Sequence, residues 1–154
     1  MRFQNTTRRH RRHRVGSALS VELVMVLPIL LIILLAFVEF GLLLMATQGV
    51  GAAANLGARE AALASSTELS VKAAADDALA GWVWQGKHEV VIFVNGTRVN
   101  FSDASDLVQD APTGSDISVT VNVPMVQAAP NLLAYFGIDL TDKDLTTTYV
   151  TRKE

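Results

Sequence analysis

The sequence contains no cysteine. This excludes a disulfide framework, a thiolate metal site and a catalytic cysteine, and it removes the usual sequence marker of redox compartment. Histidine is nearly as scarce. His10 and His13 fall near the start and His88 far downstream, so no imidazole pair with metal-ligand spacing arises. A glycine-rich phosphate loop, a nucleophile elbow and a zinc-protease helix are also missing, which argues against an enzyme. Acids are absent up to Gly16, and residues 23–38 carry no charge of either sign. What remains is 154 residues, 50% hydrophobic and 18% charged: one small domain plus something strongly apolar.

The formal net charge of -2 conceals a division. Six of the thirteen basic residues stand in the leader: Arg2, Arg8, Arg9, Arg11, Arg12 and Arg14. The remaining seven bases face fifteen acids, a net of -8 for the rest of the chain. Arginine clusters neutralise phosphates, but an arginine cluster beside a hydrophobic run is first a topology determinant, and no nucleic-acid partner is expected. If residues 19–44 form one helix, it spans a hydrocarbon core of roughly 30 Å with some tilt to spare. The positive-inside bias then places Arg8, Arg9, Arg11, Arg12 and Arg14 in the cytoplasm and everything after about Gly49 across the membrane. A cleaved secretory signal has a shorter apolar region than this one. The histidines after each arginine pair disfavour a twin-arginine export signal.

Two glutamates interrupt this apolar stretch. Each lies close enough to a membrane edge to reach headgroups, Glu22 on the cytoplasmic side and Glu39 on the other. That explanation is weaker for Glu22. An acid carried to mid-bilayer costs about 2.5–3.5 kcal/mol and calls for a partner. A free α-amino group on a neighbouring copy fits, and cutting away the leader just before the apolar run creates one.

The stretch "RVGSALSVELVMVLPILLIILLAFVEFG" resembles the amino terminus of TadE-like proteins, minor pilins or pseudopilins of tight-adherence (Tad, Flp-type) pilus systems. The matching elements are a basic leader, a small-residue cleavage site at Gly16 or Ser17, Val21 with Glu22, Leu27 with Pro28, and Glu39, Phe40 and Gly41 in succession. Farther on, "NLGAREAALAS" is similar to the family's alanine-rich segment, and "LTTTYVTRKE" to its threonine-rich close. In this class the glutamate usually stands fifth in the mature chain. A cut after Gly16 makes Glu22 sixth, whereas a cut after Ser17 restores the register; processing is expected between Gly16 and Ala18. The resemblance implies a prepilin peptidase acting at the cytoplasmic face, with Glu22 then pairing with the new amino terminus of an adjacent subunit. It also implies a major pilin, a sister minor pilin and the membrane platform of a secretion machine as partners, an inner-membrane location, and no cofactor.

The expected fold is α+β and pilin-like: a long N-terminal transmembrane and stalk helix with a small antiparallel β-sheet domain at the C-terminal end. We divide the chain into a basic leader at 1–17, a transmembrane and stalk helix at 18–65, and an extracytoplasmic domain at 66–154. Pro28 removes one helical hydrogen bond and predicts a kink rather than a stop, since membrane helices tolerate proline. Gly49, Ala53, Gly57 and Ala61 recur every fourth residue, a stripe of small side chains that lets another backbone approach, from the chain's own sheet or from another subunit.

Beyond the stalk, Ser66 or Thr67 caps a short helix that turns Leu69, Ala73 and Leu79 to one side and stops at Gly81. Trp82 and Trp84 follow, as core residues or interfacial anchors. Asn95 and Gly96 sit between apolar runs, the pair suited to a type I′ hairpin turn, which suffices to explain the Asn95-Gly96-Thr97 sequon. Ile117, Val119, Val121 and Val123 alternate with polar residues as in a half-buried strand ended by Pro124. Asp103, Asp106, Asp110 and Asp116 lack the glycine and terminal glutamate of a calcium loop and read as a solvated loop. Leu132, Leu133, Tyr135 and Phe136 are expected in the core, and a last strand near 145–151 completes a sheet of three or four strands.

The sequence therefore predicts a structural protein that helps to assemble or tip an adhesive pilus. The alternative is an uncleaved, signal-anchored envelope protein whose head binds or senses a ligand.

Overall fold

The computed structural model describes residues 13–81, 87–101 and 105–154, with side chains from Val21 onward. Arg8, Arg9, Arg11, Arg12, Trp82, Trp84 and Asp103 lie outside the described residues, as do the side chains of Arg14, Gly16, Ser17 and Ala18.

One helix, α1, runs His13–Ala62 over 50 residues, about 75 Å at the α-helical rise. It passes through Pro28 without stopping. Its two parts have opposite surroundings. From Val21 to Leu31 every residue is exposed, whereas Ala46, Val50, Ala53, Ala54, Ala58 and Ala61 are buried. The upper part is the spine of a folded head: α2 (Glu68–Leu79) and a four-stranded sheet pack onto it.

The sheet is antiparallel throughout, in the order β2-β1-β3-β4, with β1 at Glu89–Val94, β2 at Thr97–Arg98, β3 at Asp116–Pro124 and β4 at Asp144–Arg152. Asn95 and Gly96 both take positive φ, 50° and 83°, and join Val94 to its partner Thr97. This is the type I′ geometry expected of the pair. The Asn95 side chain accepts from the Asp116 amide at 3.0 Å and donates to Ser115 Oγ at 3.3 Å, tying the turn to the start of β3. Ile117, Val119, Val121 and Val123 are fully buried, as their alternation predicts.

The small-residue stripe lies against the chain's own head. Gly49, Ala53, Gly57 and Ala61 are all buried. A Cβ built on Gly57 would lie 3.1 Å from Val119 Cγ1, 3.4 Å from Ala75 Cβ and 3.5 Å from the Val71 carbonyl. Gly57 is thus where α1, α2 and β3 meet, and the missing side chain sets their separation.

That close approach corrects the predicted face of α2. Val71, Ala75 and Leu79 are buried, while Leu69 is 73% exposed and Ala73 faces solvent. The turn of α2 that approaches Gly57 does so through the Val71 carbonyl and the small side chain of Ala75. Thr67 is the N-cap and forms a reciprocal capping box with Ser70. Ser66 is buried and donates to the carbonyls of Ala61 and Leu63, closing the end of α1.

The loop acids are engaged separately. Asp106 accepts from the amides of Glu68, Val108 and Gln109, and Glu68 accepts in return from the amide of Leu107. Asp116 pairs with Arg152 at 3.2 Å, and Asp110 is exposed. Lys153 is buried and donates to the carbonyls of Val108 and Gln109, holding this loop against the last strand.

The segment after β3 departs from expectation. A four-residue helix, α3 (Met125–Ala128), leads into a 3₁₀ turn at Leu132–Phe136. Leu133 is buried and Leu132 partly so, but Tyr135 is 95% exposed and Phe136 52%. The turn packs against α1, and its two aromatic side chains stay open to the outside.

Candidate membrane and assembly segment

The residues singled out along the apolar run occupy three environments on one helix. Glu22 is exposed, within the part of α1 where every residue from Val21 to Leu31 is exposed, and it forms no hydrogen bond or ion pair with a described residue. Val21, Leu23, Val24, Met25, Leu27, Ile29 and Leu30 surround it, all at least half exposed. An all-round apolar helix surface is a membrane signature or an interface signature, because a helix packed on one side only would show a polar face.

Glu39 is the opposite case. It is 2% exposed and its carboxylate accepts from the Leu133 amide at 2.9 Å. The first turn of a 3₁₀ helix leaves amides without partners, and Glu39 supplies one from across the molecule. The headgroup-reaching role expected of Glu39 is therefore replaced by an internal one, which no local signal in the sequence announces: the partner is 94 residues away. Phe40, next in the chain, is 59% exposed. Gly41 is exposed, and a Cβ added there would meet nothing within 4 Å. The three consecutive residues thus divide into one that faces the head and two that face outward.

The backbone at Gly16, Ser17 and Ala18 belongs to the first turns of α1. The structure does not bring these residues to any other candidate position.

The head holds a cleft of about 780 Å³ between α2 and the β1–β2 hairpin, lined by Lys72, His88, Glu89, Arg98, Asn100 and Phe101 among others. Asp76 sits at its margin, 2.6 Å from Lys72 Nζ and 2.8 Å from His88 Nε2. Burial works to raise the Asp76 pKa, but hydrogen bonds and charge from Lys72 and His88 together outweigh it and hold the carboxyl below its ordinary range. Glu89 and Arg98 pair at 2.8 Å on the hairpin surface. No nucleophile is paired with a base here, and among the described residues no group of three or more His, Asp or Glu is placed to hold a metal ion.

Among the described residues α1 is the one helix long and apolar enough to cross a membrane, with a mean hydropathy of 3.0 in its most apolar window. Comparison with known proteins agrees on the same element. Residues 17–59 match the family model described as TadE-like protein. The match runs from the expected processing site to Arg59, and the threonine-rich carboxyl end lies beyond it. No significant match was found among curated proteins or solved structures. Both the exposed apolar half of α1 and the half that carries the head fall within the matched segment, and it is over that segment that the chain is similar to TadE-like proteins.

Proposed function

We propose that this protein is a minor pilin or pseudopilin that takes part in assembling a Tad (Flp-type) adhesive pilus. The observation that carries the reading is the TadE-like segment itself, folded as a helix whose lower half is apolar on every side and bears one acid, Glu22, with no partner among the described residues. An ionised carboxylate in such a surface is costly in lipid unless a cation meets it. The amino terminus of a neighbouring subunit, freed by a prepilin peptidase between Gly16 and Ala18, is the cation this reading supplies. The leader arginines hold the start of the chain in the cytoplasm, and the head lies outside the inner membrane. The major pilin, a sister minor pilin and the secretion platform are the partners.

The test is Glu22→Ala in a piliated cell. The variant should insert in the membrane normally and fail to co-purify with major pilin. Normal piliation would remove the pairing from the account. Mass spectrometry of the membrane-purified protein tests processing: a mature chain that begins at Ser17 or Ala18 is expected. Retention of the whole leader in cells with an active peptidase would favour the second reading, an uncleaved signal-anchored protein. The cleft beside Lys72, His88 and Arg98 is the observation on which that reading would then rest.

A further inference from the structure

The sheet fixes which end of the head faces the membrane. Glu154 donates its amide to the Ala62 carbonyl, so the end of β4 lies at the top of α1; the antiparallel register puts Asp116 and the Asn95-Gly96 turn at that end and Pro124 and Asp144 at the other. The chain between Pro124 and Asp144 is therefore the lower lip of the head, and its 3₁₀ turn meets α1 at Glu39. Ala62 stands about 35 Å farther along α1 than Glu39.

We propose that this lip, residues 132–138, is seated in the interfacial layer of the membrane that α1 crosses, giving the chain a second membrane contact; the proposal rests on the reading of α1 as membrane-spanning. Three observations converge on it. Tyr135, Phe136 and Ile138 are 95%, 52% and 48% exposed, whereas Leu133 and Leu140 on the same loop are buried, so the loop turns an apolar edge outward after its own anchors are satisfied. The outward face of α1 stays apolar beyond Glu39, with Phe40, Leu44 and Met45 exposed at the height of the loop, so lip and helix both present apolar side chains at that level. The loop is also braced. Asp139 accepts from Asn131 Nδ2, Thr141 Oγ1 and the Thr141 amide, and Gly137 closes the turn at φ 85°. Asp139 thereby ties the two sides of the loop together, adding to the anchorage that Glu39 and the buried Leu133 and Leu140 give it.

Headgroup depth suits these groups. A tyrosine ring and hydroxyl are both accommodated between lipid and water. Irregular backbone is not tolerated in hydrocarbon, and here Glu39 and the turn's own hydrogen bonds meet the polar groups that lie nearest it. The consequence is mechanical: a head held at two points cannot swing about α1, and its upper end is kept at a fixed height and tilt.

The absence of cysteine allows a direct test with the full-length chain. Single variants Tyr135→Cys, Leu31→Cys and Thr97→Cys, each carrying a nitroxide, are reconstituted in vesicles of phosphatidylethanolamine and phosphatidylglycerol. Collision with oxygen and with a water-soluble nickel complex then reports depth. The Tyr135 label should be several-fold less accessible to nickel than the Thr97 label, with the Leu31 label deepest. A Tyr135 label as open to nickel as Thr97, with Leu31 still buried, would overturn the interfacial seat alone. Protection of Tyr135 that fades as the protein is diluted in lipid would assign the lip to a second copy of the chain and overturn it too. A water-exposed Leu31 label would overturn the span of α1 and the seat together.

Discussion

Two glycines on α1 illustrate how the same residue type serves opposite purposes. Gly57 is enclosed by Val119, Ala75 and the Val71 carbonyl, whereas a Cβ on Gly41 meets open space. Gly57→Val should therefore lower the stability of the head by about 1–3 kcal/mol, because rigid neighbours on two other elements must move apart. Gly41→Ala should leave it unchanged or raise it by up to about 1 kcal/mol through helix propensity. Thermal unfolding of the detergent-solubilised proteins, followed by near-UV circular dichroism, separates the two; equal destabilisation would show that Gly57 is not a packing constraint. Glu39 gives a second contrast. Removing the carboxylate in Glu39→Ala strands the Leu133 amide and should cost about 1–3 kcal/mol. Glu39→Gln keeps an acceptor and should lose less, and hydrogen exchange at Leu133 should quicken in the alanine variant only.

At the scale of elements, the sequence was most informative where one strand or one turn carries its own pattern. The alternation of Ile117 to Val123 and the Asn95-Gly96 pair predicted their structures without help from distant residues, since side-chain period and positive φ are local properties. The long helix was equally legible, apart from its ends. The face of α2 was not, because Leu69 looks more like a core residue than Ala75 until the gap at Gly57 is known. The exposed aromatics of the Leu132–Phe136 turn were assigned to the core for a related reason: composition reports apolarity, not whether protein stands opposite. The buried role of Glu39 depends on a contact spanning most of the chain and has no local trace. The loop that provides it makes a prediction of its own. Hydrogen bonds from the Thr141 side chain, then Asn131 and the Thr141 amide, lower the Asp139 pKa from 3.8 to about 2. A depressed carboxylate contributes stability that is fully present above the unfolded value and fades as pH falls through the folded one. The Asn131 and Thr141 resonances should thus stay native-like at pH 5 and shift between about pH 4 and 2 in an NMR titration. An unchanged loop in Asp139→Asn across that range, with the wild type also unchanged, would show that the carboxylate does not brace it.

For the whole molecule the governing fact is that one helix serves two solvents. The part below Glu39 exposes apolar side chains in every direction, and the part above Ala46 is a core helix whose small residues let α2 and the sheet lie close. Neither part accounts for the other, which is why the head can be read as an ordinary α+β unit and still be inseparable from the segment that matches the family. The proposed orientation rests on charge: if the arginine leader stays in the cytoplasm, the β1–β2 turn, at the Ala62 end of the sheet, is on the far side of the membrane. Single cysteines at Thr97 and Leu31 make this measurable in intact spheroplasts with a membrane-impermeant maleimide. Thr97→Cys is exposed at the top of the head and should label completely before lysis, while Leu31→Cys should label neither before nor after lysis because hydrocarbon excludes the reagent. Labelling of Thr97→Cys only after lysis would invert the molecule, placing the head in the cytoplasm, where the proposed pairing of Glu22 with a peptidase-generated amino terminus has no geometry in which to form.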